Sequence, residues 1–499
     1  MTGYSFTTPV WDGGTWVTPV VAEVVAARRA NGPEDQPRKQ DASAEWDKID
    51  WRAHQGQVRR LRQPIFKAAQ EQDWPKVRNL QKLMLRSRSN TLVSVRQVTQ
   101  RNAGRKTAGI DGEVALTSES RADVAVRVHQ GIWTWKPRAV RRVYIPKASN
   151  PAKSRPLGIP TVGDRVAQTA ASMALEPRAE SVFHDDSYGY RRNRGALDAV
   201  GTCRNRCWEK PWVIDLDIRK FFDSVPWNLV VKAVQANVTH EQRWITLYVK
   251  RWLAAPIVMP DGSKQSRDKG TPQGSAISPV LANLFMHYAF DLWLEREFPM
   301  VEFERYADDG VIHCATEQQA RRVLAALEER MAGVGLELHP DKTRIVYCKD
   351  SNRRRRDCAE TSFTFLGYTF RARQAPARQG GGAMLTAFLP GASKDALKRM
   401  SEEVRSWRIH LRSGTELEDI AAWINPVIRG WMTYYGRFYR TVLNPLLERI
   451  NSYLVRWAKW KYKRLRSYKK VRRWWKDLTA RRPDLFAHWK WNTEFKFSL

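Results

Sequence analysis

The sequence predicts an α+β protein in which a mixed central region is flanked by two helical regions. Between about residues 140 and 370, short β-rich segments alternate with helices. On both sides of this region, apolar residues recur at helical spacing. No internal repeat is visible, so the pattern does not indicate a helical repeat array.

The N-terminal part contains a predicted flexible leader followed by basic helices. Residues 1–44 include the polar, proline-containing stretch NGPEDQPRKQDASAE, which is typical of a flexible segment. Residues 45–135 show helical periodicity, and their polar faces are rich in Arg and Lys. Such helices would either lie along a nucleic-acid phosphate backbone or pack as ordinary amphipathic helices, and the sequence does not separate these two interpretations.

The central region, residues 136–375, contains most of the predicted strands. Five segments have strand character: RRVYIPK (141–147), WVIDLDI (212–218), FERYA (303–307), GVIHC (310–314) and FTFLGYTF (363–370). Two longer segments between them are predicted helices: DRVAQTAASMALEPRAESVF and SPVLANLFMHYAFDLWLEREF.

The C-terminal part is predicted to be helical and strongly basic. Residues 376–450 begin within the polar, Gly-rich stretch RARQAPARQGGGA (371–383), which indicates a loop or a boundary, and then contain long amphipathic segments. Residues 451–499 hold 15 Lys and Arg against 3 Asp and Glu, together with six Trp. Basic residues mixed with aromatic ones are typical of a nucleic-acid-binding segment.

The overall charge indicates a polyanionic partner. The 499 residues include 85 Lys and Arg and 52 Asp and Glu, a formal net charge of +33. Such a surface attracts nucleic acid, although a charged face that is merely solvated is the alternative. No run of 18 apolar residues and no secretory signal is visible, so we expect a cytoplasmic protein without a membrane partner. The five scattered cysteines show no paired zinc pattern and are expected to be reduced thiols.

A group of carboxylates predicts a metal-dependent site. In FERYADDGVIHC, Asp308 and Asp309 can reach one site only from a tight hairpin bend, for which Gly310 is expected to supply the flexibility. Asp215 and Asp217 share one face of another predicted strand, where Asp215 is expected to be a structural hydrogen-bonding partner. Carboxylates brought together in this way suit two Mg²⁺ ions and phosphoryl transfer on nucleic acid. These residues alone do not distinguish a polymerase from a nuclease.

Eight ordered sequence blocks resemble the group II intron-encoded reverse transcriptase/maturase family, in the bacterial form that lacks an H-N-H endonuclease. Tyr306 to Asp309 match the Y-x-D-D signature of reverse transcriptases. The other blocks include NAGRKTAGIDGE, RRVYIPKASNPAKSRPLGIPTVGDRV, YGYRRNRGALDAV, KGTPQGSAISPVLANLFM, LELHPDKTRIV and RGWMTYYGRFYR. The resemblance implies a right-hand polymerase with fingers and palm, followed by an α-helical thumb/maturase domain.

The resemblance also assigns roles to individual residues. The implied catalytic metal ligands, for two Mg²⁺ ions, are Asp217, Asp308 and Asp309. The implied dNTP-binding residues are Lys147, Arg155, Phe222, Gln273, Gly274 and Lys342, where Phe222 would exclude a ribose 2′-OH. The candidate nucleic-acid contacts are Tyr306, Arg429, Arg437 and Arg440, whereas the aromatic stripe around Trp431 is expected to be mostly core.

The implied function is RNA-directed DNA synthesis combined with binding of a group II intron RNA. The implied partners are that RNA, an RNA template with a DNA or RNA primer, target DNA and dNTPs, in a ribonucleoprotein that associates with the nucleoid when on DNA. Two alternatives stay open at this point. One is a splicing-only maturase without catalysis, and the other is a related reverse transcriptase that serves host defence or repair.

Overall fold

The computed structural model describes residues 10–12, 15–17, 46–147, 150–238, 243–353, 358–376 and 384–496. Its helices are α1 (Trp51–Gln70), α2 (Trp74–Arg86), α3 (Arg88–Arg96), α4 (Ser118–Gly131), α5 (Val162–Glu180), α6 (Ala196–Glu209), α7 (Phe221–Ser224), α8 (Trp227–Gln235), α9 (Arg243–Ala254), α10 (Ser278–Met286), α11 (Leu292–Glu297), α12 (Glu317–Gly333), α13 (Lys394–Ser406), α14 (Leu417–Tyr435), α15 (Asn444–Lys461) and α16 (Tyr468–Arg481). Its strands are β1 (Val10–Asp12), β2 (Thr15–Val17), β3 (Val140–Lys147), β4 (Asn150–Ile159), β5 (Trp212–Leu216), β6 (Ile257–Val258), β7 (Lys264–Gln265), β8 (Glu302–Tyr306), β9 (Asp309–Cys314), β10 (Arg344–Tyr347), β11 (Ser362–Phe365), β12 (Tyr368–Pro376) and β13 (Met384–Ala392).

The N-terminal helices bury their apolar faces against the rest of the protein. Most of the predicted leader lies outside the described residues, and within it β1 and β2 pair antiparallel. Asp50 caps α1, since its carboxylate accepts hydrogen bonds from the amides of Arg52 and Ala53. Ile65 of α1 and Met84 of α2 are fully buried in a core that also includes Ala174 of α5. These helices are therefore amphipathic packing elements that leave their basic faces toward solvent.

A four-stranded sheet in the order β4-β3-β6-β7 follows the N-terminal helices. β3 and β4 form an antiparallel hairpin that carries the segment SRPLGIP. Lys147 is the last residue of β3, and its side chain lies outside the described residues. The predicted strand at 141–147 is confirmed, whereas β4 was not predicted.

The central sheet has the antiparallel order β10-β5-β9-β8. One face carries Ile214 and Ile312 and packs in the largest core of the described residues, together with α8, α10 and α12. The opposite face carries Val213 and Val311 and packs against α6 and the sheet β11-β12-β13. Both faces are covered, so the charged side chains in the middle of the strands, Glu304, Arg305 and His313, are buried and paired. Only the strand ends can present charged groups to a cleft.

Two predicted elements differ from the observed ones. FTFLGYTF forms two strands, β11 and β12, because Leu366 and Gly367 both adopt positive φ angles, 50° and 81°, and close a tight hairpin. The helix predicted over 278–298 contains a π-helical segment, His287–Asp291, between α10 and α11. Such bulges are common at functional sites, and this one carries a buried carboxylate considered below.

The C-terminal helices form one packed unit. Their core extends from Met400 on α13 to Trp489, near the end of the described residues. The predicted boundary at residue 450 is wrong, because it falls inside α15 and this core continues across it. Aromatic residues of the predicted stripe pack internally: Trp431 stacks on Trp407, and Tyr434 contacts Tyr368. No helix among the described residues is long and apolar enough to cross a membrane.

Candidate active site

Asp217 lies just beyond the end of β5 and is held by the segment before β10. Its amide donates to Thr343 Oγ1 at 3.3 Å, and its carbonyl accepts a hydrogen bond from the His339 amide at 2.8 Å. Lys342 Nζ lies 2.7 Å from Asp217 Oδ2. The LELHPDKTRIV block therefore fixes both the backbone and the charge environment of Asp217.

Asp308 and Asp309 lie at the tight bend that the sequence predicts. Tyr306 pairs with Asp309, so Ala307 and Asp308 form a two-residue turn between β8 and β9. The positive φ angle required by such a turn falls on Ala307, at 61°, and not on Gly310. The expected role of Gly310 is therefore wrong. A side chain there would lie 3.1 Å from Leu216 Cδ2, so this glycine allows β9 to pack closely on β5.

The carboxylates repel one another across the cleft. Loss of hydration raises the pKa of Asp309 to about 7, and the negative charges of Asp308, Asp217 and Asp215 add to this effect. Burial likewise raises the pKa of Asp308, while Arg155 and Lys342 oppose the rise. Hard oxygen ligands that repel one another and face a cleft fit the donor set of a divalent cation such as Mg²⁺.

Asp215 has a different environment from the other aspartates. It pairs with Arg344 across β5 and β10, and Arg344 Nε lies 3.5 Å from its Oδ2. Burial raises the pKa of Asp215 to about 6, although Arg344 opposes the rise. This ion pair agrees with the prediction of a structural partner.

The buried side chain of Arg305 supports the two-residue turn between β8 and β9. Its guanidinium is 1% exposed and forms a two-pronged ion pair with Asp291, with both N–O distances at 2.7 Å. The same guanidinium donates to the Ala307 carbonyl at 3.0 Å and to Asn283 Oδ1 at 3.1 Å. Burial opposes ionisation of Asp291, but Arg305 outweighs it and holds the pKa of that carboxyl below its ordinary value. The backbone of the carboxylate turn is thus tied to a buried ion pair.

The segment YGYRRN packs directly on the same turn. A Cβ at Gly189 would lie 2.4 Å from the Ala307 amide nitrogen, so only glycine fits there. The Gly189 carbonyl accepts a hydrogen bond from Asn283 Nδ2 at 2.7 Å. Tyr190 is 52% exposed, and its ring centroid lies 6.4 Å from that of Tyr306. Tyr306 and Tyr190 therefore line the cleft beside Asp308.

Three of the predicted dNTP-binding residues lie on β4 or in the loop that packs on it. Arg155 is exposed on β4, and its charge opposes the rise that burial causes in the pKa of Asp308. Gly274 has a φ angle of 114°, and a Cβ there would lie 2.6 Å from the Gly158 carbonyl oxygen of β4. The Gln273 carbonyl accepts a hydrogen bond from the Gly158 amide at 2.7 Å. The loop that contains Gln273 and Gly274 therefore packs closely on the β4 backbone.

The remaining predicted residues lie near the cleft or on the helical unit. Phe222 is half-buried against Phe221, and its carbonyl accepts a hydrogen bond from the Thr271 amide at 2.6 Å. Arg429, Arg437 and Arg440 are exposed on or just after α14, where they are free to meet an anionic partner.

Three protein-family models match successive parts of the chain. Residues 145–370 match the reverse transcriptase (RNA-dependent DNA polymerase) family, and residues 46–128 match the N-terminal domain of reverse transcriptase. Residues 397–475 match the group II intron maturase-specific domain, which lies on α13 to α16. Protein YkfC of Escherichia coli is 30% identical over 338 residues, which cover 59% of this chain and 84% of that protein. The chain belongs to the group II intron reverse transcriptase/maturase family.

One further curated relative agrees with this assignment. The group II intron-encoded protein LtrA of Lactococcus lactis is 29% identical over 249 residues, which are 49% of this chain and 41% of LtrA. A telomerase structure from Candida albicans aligns with a TM-score of 0.38 and 10% identity, over 72% of this chain and 64% of that one. As a reverse transcriptase/maturase, the chain is an RNA-directed DNA polymerase with a right-hand fold.

Several residues that form the reverse transcriptase site were not singled out from the sequence. Arg305, Asp291, Asn283 and Gly189 hold the carboxylate turn, and Tyr190 lines the cleft beside it. Gly189 and Tyr190 carried a local signal because they belong to the YGYRRN block, and Asn283 did because it belongs to the KGTPQGSAISPVLANLFM block. Arg305 occupies an ordinary strand position, and its partners lie 14 and 22 residues away.

Proposed function

We propose that this reverse transcriptase/maturase copies RNA into DNA at Asp217, Asp308 and Asp309 with two Mg²⁺ ions. The observation that supports this proposal most directly is that the three aspartates lie together, where loss of hydration and then the charges of Asp308 and Asp217 raise the pKa of Asp309 to about 7. Mg²⁺ held by these carboxylates would supply activation of a primer 3′-hydroxyl and stabilisation of the leaving pyrophosphate. Lys342 and Arg155 would attract a triphosphate, a role supported by their positive charges, which both oppose the rise of the Asp308 pKa.

We extend the proposal to the helical unit, which would bind a group II intron RNA and assist its splicing and its reverse splicing into target DNA. Support comes from the maturase-specific match over α13 to α16 and from the exposed Arg429, Arg437 and Arg440. The resulting ribonucleoprotein would act in the cytoplasm and associate with the nucleoid on target DNA. The complete set of carboxylates, and the loop of Gln273 and Gly274 that packs on β4, favour a catalytic protein over one that only assists splicing.

The test is primer extension by the purified protein on an RNA template with dNTPs and Mg²⁺, together with splicing of a group II intron precursor RNA. We expect cDNA synthesis and faster splicing. Splicing assistance without extension would identify a protein that only assists splicing. Primer extension without faster splicing of the RNA of an intron next to the gene of this protein would favour a defence or repair enzyme.

Replacement of Phe222 with alanine is expected to weaken selection against ribonucleotides. The half-buried ring follows Asp217 by five residues, at the position where the family resemblance places a block to the ribose 2′-OH. We expect the preference for dNTPs over rNTPs to fall by roughly tenfold or more. The measurement is the ratio of kcat/KM for each nucleotide class. Phe298→Ala, which removes another half-buried ring beside Trp293, is the control, and equal ratios in both variants would exclude Phe222 from this role.

A further inference from the structure

Trp460, near the end of α15, differs from the other tryptophans of the basic C-terminal segment. Five of the six Trp in residues 451–499 lie in the core of the helical unit or pack against it: Trp457, Trp474, Trp475, Trp489 and Trp491. Trp460 is 69% exposed, more than any other Trp, Tyr or Phe that the structure describes. Its indole makes no ring contact or hydrogen bond with another described residue. The fold therefore leaves one large aromatic face open to a partner.

A concentration of positive charge follows Trp460. No Asp or Glu occurs between Glu448 and Asp477. Seven exposed cations lie in the turn between α15 and α16 and in the first half of α16: Lys463, Arg464, Arg466, Lys469, Lys470, Arg472 and Arg473. Within the described part of the chain none of the seven forms an ion pair, whereas Lys461 just before them pairs with Glu416 at 2.6 Å. The protein itself does not neutralise this charge, so it is available to an anionic partner.

The apolar side chains beneath these cations are already covered. Val471 and Trp475, one turn apart on α16, are buried, and so is Leu465 in the turn before it. Trp475 Nε1 also donates to the Thr493 carbonyl at 2.8 Å. A helix that lies in a membrane interface needs a free apolar face, and α16 has used its own in the core. The charge is therefore better matched to a polynucleotide than to a lipid surface.

We propose that Trp460 and the seven cations, together called the Trp460 surface, bind an unpaired stretch of nucleic acid. A base would stack on the indole, and the cations would contact the flanking phosphates. The bases of a duplex are stacked on one another, so the indole would add little to duplex binding. This inference rests on the proposed function, in which the helical unit meets intron RNA and target DNA, and it adds the kind of strand that this part of the unit recognises.

The first test compares the affinities of the full-length wild-type protein and Trp460→Ala for labelled oligonucleotides, by fluorescence anisotropy. The probes are oligo-dT and oligo-rU of about 12 nucleotides and a duplex of the same length. We expect Trp460→Ala to weaken single-strand binding by about tenfold, the effect of losing stacking on one base, and to leave duplex binding nearly unchanged. The matched control is Trp208→Ala, which removes another exposed indole, on α6, and should bind as the wild type.

The salt dependence separates stacking from charge. Trp460→Ala removes no charge, so the slope of log affinity against log salt should equal that of the wild type. Lys469→Gln/Lys470→Gln should instead weaken binding of single strands and duplex alike, and should reduce the single-strand slope by about 1.4. A preference for oligo-rU would identify an RNA strand as the partner, and a preference for oligo-dT a DNA strand, and either preference supports the proposal if it is lost in Trp460→Ala.

Photocrosslinking of the wild-type protein needs no variant and so does not depend on how a variant folds. An oligonucleotide that carries 5-iodouracil should form an adduct with Trp460, identified by mass spectrometry of the digested protein. No adduct at Trp460, together with wild-type single-strand affinity in Trp460→Ala, would overturn the proposal. Equal losses of single-strand and duplex affinity in Trp460→Ala would also overturn it, because the indole would then support the fold and not a base. Primer extension and intron splicing are measured on the same wild-type preparation, so that a failure of the proposed function is seen separately.

Discussion

Asp308→Asn is expected to reduce RNA-templated primer extension by on the order of 10²- to 10³-fold or more, because one metal-binding charge is lost. Asparagine keeps the size and shape of the side chain, so the two-residue turn between Tyr306 and Asp309 should persist. The remaining Asp217 and Asp309 would then leave two divalent cations under-neutralised. Extension should be measured at saturating dNTP and at several Mg²⁺ concentrations, and additional Mg²⁺ should not restore the wild-type rate.

RNA binding and folding should be unchanged in this variant. The carboxylates lie in a cleft lined by Arg155 and Lys342, and most of the basic surface is elsewhere. Intron RNA affinity and the melting temperature are therefore the internal controls. Asp261→Asn is the matched substitution, since the exposed Asp261 lies in the turn between β6 and β7 and its Oδ1 accepts from the Ser263 amide as an asparagine would. Wild-type extension by Asp308→Asn would exclude this residue from metal binding.

The sequence predicts the catalytic carboxylates better than it predicts the backbone and packing contacts that hold them in position. The adjacent carboxylates, their place at a hairpin bend and the strand that delivers Asp217 all follow from alternation along a strand and from like-charge repulsion. The positive φ angle at Ala307 does not follow, because glycine is the usual residue there and Gly310 offered a simpler explanation. Position 310 needs a glycine because β9 packs closely on Leu216, and this contact is visible only in the folded structure.

Contacts between distant parts of the chain account for most of the other differences. The side chains of Cys203 and His313 come within 4.8 Å of each other only because α6 packs against the central sheet. A single sequence shows the hydrophobic periodicity of each helix and strand. It does not determine which helix faces and sheet faces pack together. The boundary drawn at residue 450 fails for the same reason, since a change of composition does not show that one core continues through α15.

Arg305→Met is expected to destabilise the protein by about 3–5 kcal/mol, because it leaves the Asp291 carboxylate buried without a counter-charge. Asp291 is fully buried, and both of its oxygens lie 2.7 Å from Arg305 nitrogens. The measurement is the free energy of unfolding in urea. Arg305→Lys should recover part of the loss, since an ammonium group restores the charge but not the two-pronged geometry.

The double variant Arg305→Met/Asp291→Leu separates the effect of Arg305 on protein stability from its effect on the position of the carboxylate turn. Replacing both partners of a buried ion pair by apolar residues is often neutral for stability, so the free energy of unfolding should recover. Polymerase activity should not recover, because the hydrogen bonds from Arg305 to the Ala307 carbonyl, Asn283 and Ser187 are still missing. We expect a lower kcat at saturating dNTP with a nearly unchanged KM. Full activity in the stable double variant would show that Arg305 only neutralises Asp291, and that β8, β9 and Gly189 alone hold the carboxylate turn.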